Sequence, residues 1–291
     1  MKPITAIIWG QEGSGKSTIG LTFPKPVFHM ELDIGGFERA IWRFEDGKNP
    51  LRIQRLRTDT NLKTVKWESL DIVNKPYVVP IQMEKLMGVK KEGTTVRFPR
   101  RVVGYKELWQ RFVVDYVFAC QQPSIRTIQI DATTLWNIAH TGLLQEKQEV
   151  QLAAGMKEHD GKFRERLRPV EFPNDRMRSL INTADGTGKN LVLIHYPRNI
   201  YKSRINSKGE LEEYKSEDIE PDGFKQTTQL ADIVLWSSVS VDPKTKDISP
   251  SVRISIKCGI PKLGMSAVGI WLPEPSYRGL LMLTGEYVGE D

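Results

Sequence analysis

The sequence predicts an α/β fold, a mostly parallel central sheet with helices on both faces, and three stretches carry that prediction. Ile4-Thr-Ala-Ile-Ile-Trp9 is a short apolar run that leads straight into Gly10-Gln-Glu-Gly-Ser-Gly15-Lys16-Ser17 and a helical pattern. Thr127-Ile-Gln-Ile-Asp131 is a strand that delivers an acid to its tip. Leu191-Val-Leu-Ile194 is the most apolar run in the chain. Strands of this kind alternating with helices imply parallel pairing, because each crossover helix covers a face of the sheet.

The remaining elements follow in order. A helix is expected from Lys16 to Phe23, ended by Pro24 and Pro26, which break the hydrogen-bond ladder. Val27-Phe-His-Met30 reads as a second strand running into Glu31-Leu-Asp33 and the glycines 35 and 36. Residues 42–103 are rich in Lys and Arg, contain Pro50, Pro76, Pro80 and Pro99, and show only short β-like pieces at 77–79 and 95–98. Their thin apolar content predicts a basic insertion, an inserted subdomain within a single domain spanning 1–291.

From Tyr105, residues Leu108, Trp109, Phe112, Val113, Tyr116 and Val117 recur at helix spacing. Another helix is expected from about Thr134, and a third beginning at a capping Asn174 and stopped by Gly186. Residues 199–223 are polar and read as a mobile loop. Ile233–Trp236 and the alternating Ser251–Ile256 close the chain as late strands.

Composition narrows the function. The chain has 291 residues, 39% hydrophobic and 27% charged, ordinary values for a folded domain. Its net charge of +6 leans towards an acidic partner, nucleic acid being the commonest. Two cysteines, Cys120 and Cys258, supply neither a disulfide framework nor a zinc site, and suit a reducing compartment. No run approaches the ~18 apolar residues of a membrane span. With no signal-peptide pattern, a cytoplasmic location and no membrane partner are expected.

Gly10, Gln11, Glu12, Gly13, Ser14, Gly15, Lys16 and Ser17 match the phosphate-binding pattern G-x-x-x-x-G-K-S/T at every position. Glycines let backbone N–H groups turn inward around phosphates, Lys16 reaches the outer phosphates, and the Ser17 hydroxyl ligates Mg2+. Thr18 follows in the helix, whose positive end adds to anion binding. ATP with Mg2+ is the expected ligand pair. A guanine-specific reading fails, because Asn74-Lys75-Pro76-Tyr77 has tyrosine where a specifying carboxylate is required.

Asp131, at a strand end, suits a magnesium-bound water, or alternatively caps the next helix. Glu31 and Asp33 lie at the tip of the second strand; either can orient an attacking water, or serve only as a turn acid. His195 ends the strand expected between those of the P-loop and Asp131, and is read as a γ-phosphate sensor or a structural histidine. Lys257 and Lys262 read either as fingers towards a neighbouring subunit's nucleotide or as solvated lysines.

The P-loop, the acidic strand tip with Gly35-Gly36, Ile128-Gln-Ile-Asp131 and Leu193-Ile-His195-Tyr-Pro-Arg198 together resemble the RecA-like AAA P-loop NTPases encoded by bacteriophages. Some members act as single-strand annealing recombinases. The resemblance covers residues 1–41 and 105–285. It implies a carboxylate after the second strand (Asp33, or else Glu31), a sensor at His195-Tyr196, a DNA-binding loop after it, and a lysine finger at Lys257. It also implies a homo-oligomer working with single-stranded DNA, and with a single-strand-binding protein, in a host cytoplasm.

Arg198, Lys202, Arg204 and Lys208 are the cations suited to a nucleic-acid backbone, with Tyr201, Trp67 or Phe98 to stack on bases. Two other readings stand beside this one. A P-loop assembly or loading factor for a replication or packaging machine would need no DNA contact. A nucleotide kinase would need a lid, for which Arg164, Arg166 and Arg168 are available, but no acceptor-site pattern accompanies them.

Overall fold

The computed structural model describes residues 2–33, 35–44, 50–81, 101–158, 160–168, 173–205, 211–224, 226–241 and 248–286. Ten strands are present among them: β1 (Thr5–Trp9), β2 (Val27–Glu31), β3 (Ile53–Arg55), β4 (Ile72–Pro76), β5 (Thr127–Asp131), β6 (Asn190–His195), β7 (Pro197–Ile205), β8 (Leu211–Pro221), β9 (Ile233–Val241) and β10 (Ile248–Cys258). Eight form one sheet in the order β10-β9-β1-β6-β5-β2-β4-β3, parallel except for β10. β6 separates the P-loop strand β1 from the Asp131 strand β5, as the sequence leads one to expect.

The apolar runs alternate between two buried faces, as a pleated strand requires. Ile7 and Trp9 of β1 join Leu191 and Leu193 of β6 in one core, covered by α3 (Tyr105–Gln121), α4 (Ala132–Ala153) and α5 (Asn174–Gly186). Ala6 and Ile8 join Val192 and Ile194 in the other, against Ile19, Phe23 and Leu280. Ile19 belongs to α1 (Lys16–Gly20), and Leu280 to α7 (Tyr277–Thr284). Between them in sequence lie α2 (Gly36–Ile41), packed over Leu21, Val27 and Ile72, and the single turn α6 (Thr227–Leu230). Both faces of the central strands are therefore dry.

Four boundaries differ from expectation for local reasons. α1 stops at Gly20, a turn before the prolines. α4 starts at Ala132, because Asp131 Oδ1 accepts the Thr134 N–H at 3.0 Å and caps it. Asn174 is the first residue of α5 and not its cap; its Oδ1 accepts the Trp136 indole N–H at 3.4 Å. α5 continues through Gly186, and Gly188 adopts the left-handed conformation beyond it.

The stretch from 53 to 77 is not set apart from the domain. β3 and β4 extend the main sheet in parallel register, with Val27 opposite Ile72 and Ile53 opposite Ile72. Trp67 is fully buried with its ring 5.4 Å from Phe28, and Tyr77 lies 5.4 Å from Phe112. Burying an aromatic ring of this size contributes about 1.5–3 kcal/mol, so a few anchors compensate for sparse apolar composition. The 77–79 piece lies just beyond β4, and 95–98 lies outside the described residues. Within 199–223, expected as a mobile loop, residues 199–205 and 211–221 instead belong to an antiparallel β7–β8 ribbon, paired from Pro197–Pro221 to Ile205–Leu211, and 206–210 lie outside the described residues. No helix among the described residues is long and apolar enough to cross a membrane.

Candidate nucleotide site

The P-loop leaves β1 where Trp9 is flanked by His195 on one side and Trp236 on the other. Gly10 has φ 152°, and a Cβ there would lie 2.1 Å from the Ser237 carbonyl oxygen, so only glycine fits. Gly13 and Gly15 take φ of 75° and 87°, which bends the chain back onto the start of α1. The Ser237 hydroxyl donates to the Ser14 carbonyl at 2.7 Å and fixes the loop from β9. Lys16 Nζ donates to the carbonyls of Gly10 at 2.9 Å and Gln11 at 2.6 Å, folded into the loop it serves.

A cleft of about 320 Å³ opens over this loop, lined by Glu12, Gly13, Gly15, Lys16, Ser17 and Thr18 on one side. Asp33, Arg39, Trp42 and Tyr196 face them. The volume lies in the range of small-ligand sites, about 300–1,000 Å³. The donor set suits a nucleotide with Mg2+. The Ser14 hydroxyl is buried without a partner among the described residues, backbone N–H groups open α1, and Ser17 and Asp131 line one adjoining pocket. Burial lowers the Lys16 pKa to about 8, against the pull of Asp131. Burial raises the Asp131 carboxyl to about 6, with the Asp33 charge adding to the rise. Polyphosphate and a divalent cation would relieve both strained charges.

The two acids at the end of β2 have different positions. Glu31 Oε1 accepts the N–H groups of Gly35 at 2.9 Å and Phe37 at 3.1 Å, and Oε2 accepts the Asn74 amide at 2.8 Å. Asn74 in turn meets His29 Nδ1 at 2.8 Å. Glu31 is thereby spent on holding the turn into α2. Asp33 faces the cleft, bonded at Oδ2 by the Tyr196 hydroxyl at 3.2 Å and by Arg39 at 3.4 Å. Of the pair, the geometry leaves Asp33 to meet a water.

His195 is turned away. It shares the β6 face of Leu191 and Leu193, opposite the face covered by α1, and its Nδ1 lies 2.5 Å from the Asp222 carbonyl oxygen. Burial lowers its pKa to about 4, so the ring is neutral near pH 7. Tyr196, one residue on, lines the cleft instead, with Lys16 Nζ 4.8 Å from its ring centre. Burial and the charges of Asp131 and Asp33 raise the Tyr196 hydroxyl well above its ordinary pKa, which keeps it a hydrogen-bond donor.

Lys257 lies at the opposite end of the sheet from the P-loop. The next residue, Cys258, pairs with Ile233 at the start of β9, and Lys257 Nζ donates to the Gln229 carbonyl at 2.6 Å. Lys262 is ion-paired to Glu286 at 3.3 Å. On the ribbon, Arg198 is paired with Glu220 at 2.5 Å and Lys202 with Asp218 at 2.5 Å. Arg204 stands on β7, and Lys208 lies outside the described residues.

Four contributors escaped the sequence reading. Ser237 carries no motif. Gln129, fully buried, donates through Nε2 to the Ser17 carbonyl at 3.2 Å, and a Cβ on Gly20 would come 2.4 Å from its Oε1. Its signal was a lone polar residue inside an apolar strand, facing the lone glycine of the helix above. Arg39 and Trp42 join the cleft only because α2 folds back over α1, where Thr18 donates to the Ala40 carbonyl at 3.1 Å.

No family model and no curated protein matches the chain. Among solved structures, a KaiC-like protein from the hyperthermophilic archaeon Pyrococcus horikoshii OT3 is similar over 87% of this chain and 78% of its own. The identity is 10% and the TM-score 0.38. At that TM-score the likeness carries no argument, and the site stands on its own geometry.

Proposed function

We propose that this chain binds ATP with Mg2+ in the P-loop cleft and hydrolyses it, and that the work is done on single-stranded DNA. One observation carries the ATPase reading. Lys16, Ser17 and Asp33 line the P-loop cleft, and Ser17 and Asp33 line with Asp131 the pocket that adjoins it, so that groups from three separate strand ends come together. Phosphoryl transfer needs little covalent help from a protein, only positioning and charge stabilisation. Lys16 and the loop N–H groups hold the outer phosphates. Ser17 and Asp131 would hold the metal, directly and through water; the ion supplies charge neutralisation when bound. Asp33, steadied by Tyr196, orients the attacking water.

The DNA reading rests on the basic charge, the resemblance to phage-encoded recombination ATPases, and a ribbon that begins two residues after the β6 tip. A second reading, a nucleotide-controlled loading factor, is favoured by the ribbon ion pairs, since Arg198 and Lys202 are already matched by acids. ATP turnover with and without single-stranded DNA tests both. Stimulation by DNA, falling steeply with salt, supports the first. Turnover indifferent to DNA at low salt moves the assignment to the second. No turnover at all removes the ATPase reading.

A further inference from the structure

Behind the nucleotide cleft, on the α4 and α5 side of the β6 tip, lies a second cavity of about 370 Å³. Trp136, Asn137, Asn174 and Arg198 line it, with Thr133 and Asp222 towards the cleft. We infer that this cavity binds a single unstacked nucleobase. The inference rests on the P-loop reading only for its coupling to ATP.

The chemistry of the lining selects the ligand. The Trp136 indole is half-buried and held flat, stacked on His140 with ring centres 5.3 Å apart and planes 26° from parallel, and tied by its N–H to Asn174. Such a fixed aromatic surface suits a planar heterocycle, since every base has a π-face. The Asn137 and Asn174 amides offer donor and acceptor together, the combination that reads base edges. Charge at the site is balanced: Arg198 lies between Glu220 at 2.5 Å and Asp222 at 3.7 Å. A ring is thus favoured over a phosphate as the group that enters.

The cavity is wired to the cleft through short contacts. The Thr133 hydroxyl donates to the Asp222 carbonyl at 3.2 Å and accepts the Tyr196 N–H at 3.4 Å, and the Asp222 N–H donates to the Tyr196 carbonyl at 2.7 Å. Tyr196 is the residue that touches Asp33 and Lys16. A base seated against Thr133 and Asp222 therefore presses on the peptide that carries the Tyr196 ring.

The base can come from a strand or from a free nucleoside, and the experiment separates them. Labelled oligodeoxythymidylate is titrated by anisotropy at two salt concentrations, and thymidine by calorimetry, against the full chain and its Trp136→Ala, Trp136→Phe and Asn137→Ala variants. We expect Trp136→Ala to weaken one ligand about tenfold or more, with partial rescue in Trp136→Phe, and with the salt slope unchanged because no phosphate contact is lost. A loss confined to the oligonucleotide identifies a strand, and one confined to thymidine a free nucleoside. Parental affinity for both ligands in the Trp136→Ala and Asn137→Ala variants, or no binding of either by the parent, overturns the inference. A fluorescent ATP analogue titrated into the parent keeps the two readings apart: failure there sinks the P-loop reading and leaves the base result standing.

Discussion

Tyr196 donates its hydroxyl to Asp33 Oδ2 at 3.2 Å, joining the end of β6 to the end of β2 across the mouth of the P-loop. The two residues are 163 positions apart in the chain. With Lys16 beneath the tyrosine ring at 4.8 Å, the contact ties Asp33, the proposed water-orienting acid, to the lysine of the P-loop.

Lys16→Ala should lower ATP turnover about 100-fold or more, the scale of losing one preorganised electrostatic partner of a transition state. Steady-state phosphate release from a protein of parental melting temperature measures it. Parental turnover would remove Lys16 from catalysis.

The two β2 acids should separate cleanly. Asp33→Asn should cut turnover while leaving the melting temperature near the parent's, since Asp33 is part-exposed and, among the described residues, its carboxylate accepts just two hydrogen bonds. Glu31→Ala should cost on the order of 3 kcal/mol, because it strips the acceptor from three buried or half-buried donors. Chemical denaturation and turnover measured on both variants would show the reverse pattern if Glu31 were the water-orienting acid.

Asp131 should make stability fall as pH rises. Its folded pKa of about 6 lies above the ordinary value of ~3.9, so the folded state holds the proton more tightly. The contribution is fully present below pH ~4 and is lost as pH rises through about 6, a change of about 3 kcal/mol without nucleotide or metal. Asp131→Asn should abolish that slope, keep the α4 cap, and lose most hydrolysis. Denaturant unfolding of both proteins at pH 4.5 and pH 7 would refute the assignment if their slopes were equal.

His195→Ala should destabilise by about 1–3 kcal/mol, through the hydrogen bond to the Asp222 carbonyl that it removes and the space it vacates. The pH profile of turnover should show no histidine titration between pH 5 and 8, because burial holds that ring neutral above about 4. A second acid limb that vanishes in the variant would restore His195 as a sensor.

The P-loop was legible because its causes are local. Gly13 and Gly15 take positive φ, Lys16 must follow at a fixed spacing, and a strand must precede while a helix follows. Asp131 was legible for a related reason: alternation places the last residue of a short strand at its tip. The parallel sheet followed from the order of the elements. That residues 53–77 join the main sheet was not legible, because their contribution is a few large rings docked into a distant core, which average composition dilutes.

What sequence alone determined is therefore the set of groups whose geometry is fixed within a few residues: the loop, its lysine and serine, and the acid that ends β5. Tertiary structure decided the rest. Alternation says that His195 and Tyr196 face opposite ways, but with both faces of the sheet buried at this point it cannot say which one lines the cleft. That choice is made by Asp222 and Thr133 behind the strand and Asp33 in front of it. Glu31 and Asp33 were likewise equivalent until Asn74, 43 residues away, claimed the first. Ser237 reaches the P-loop from 223 residues away. A side chain's role at such a site is set by partners brought near only by folding, and no local pattern of residues records them.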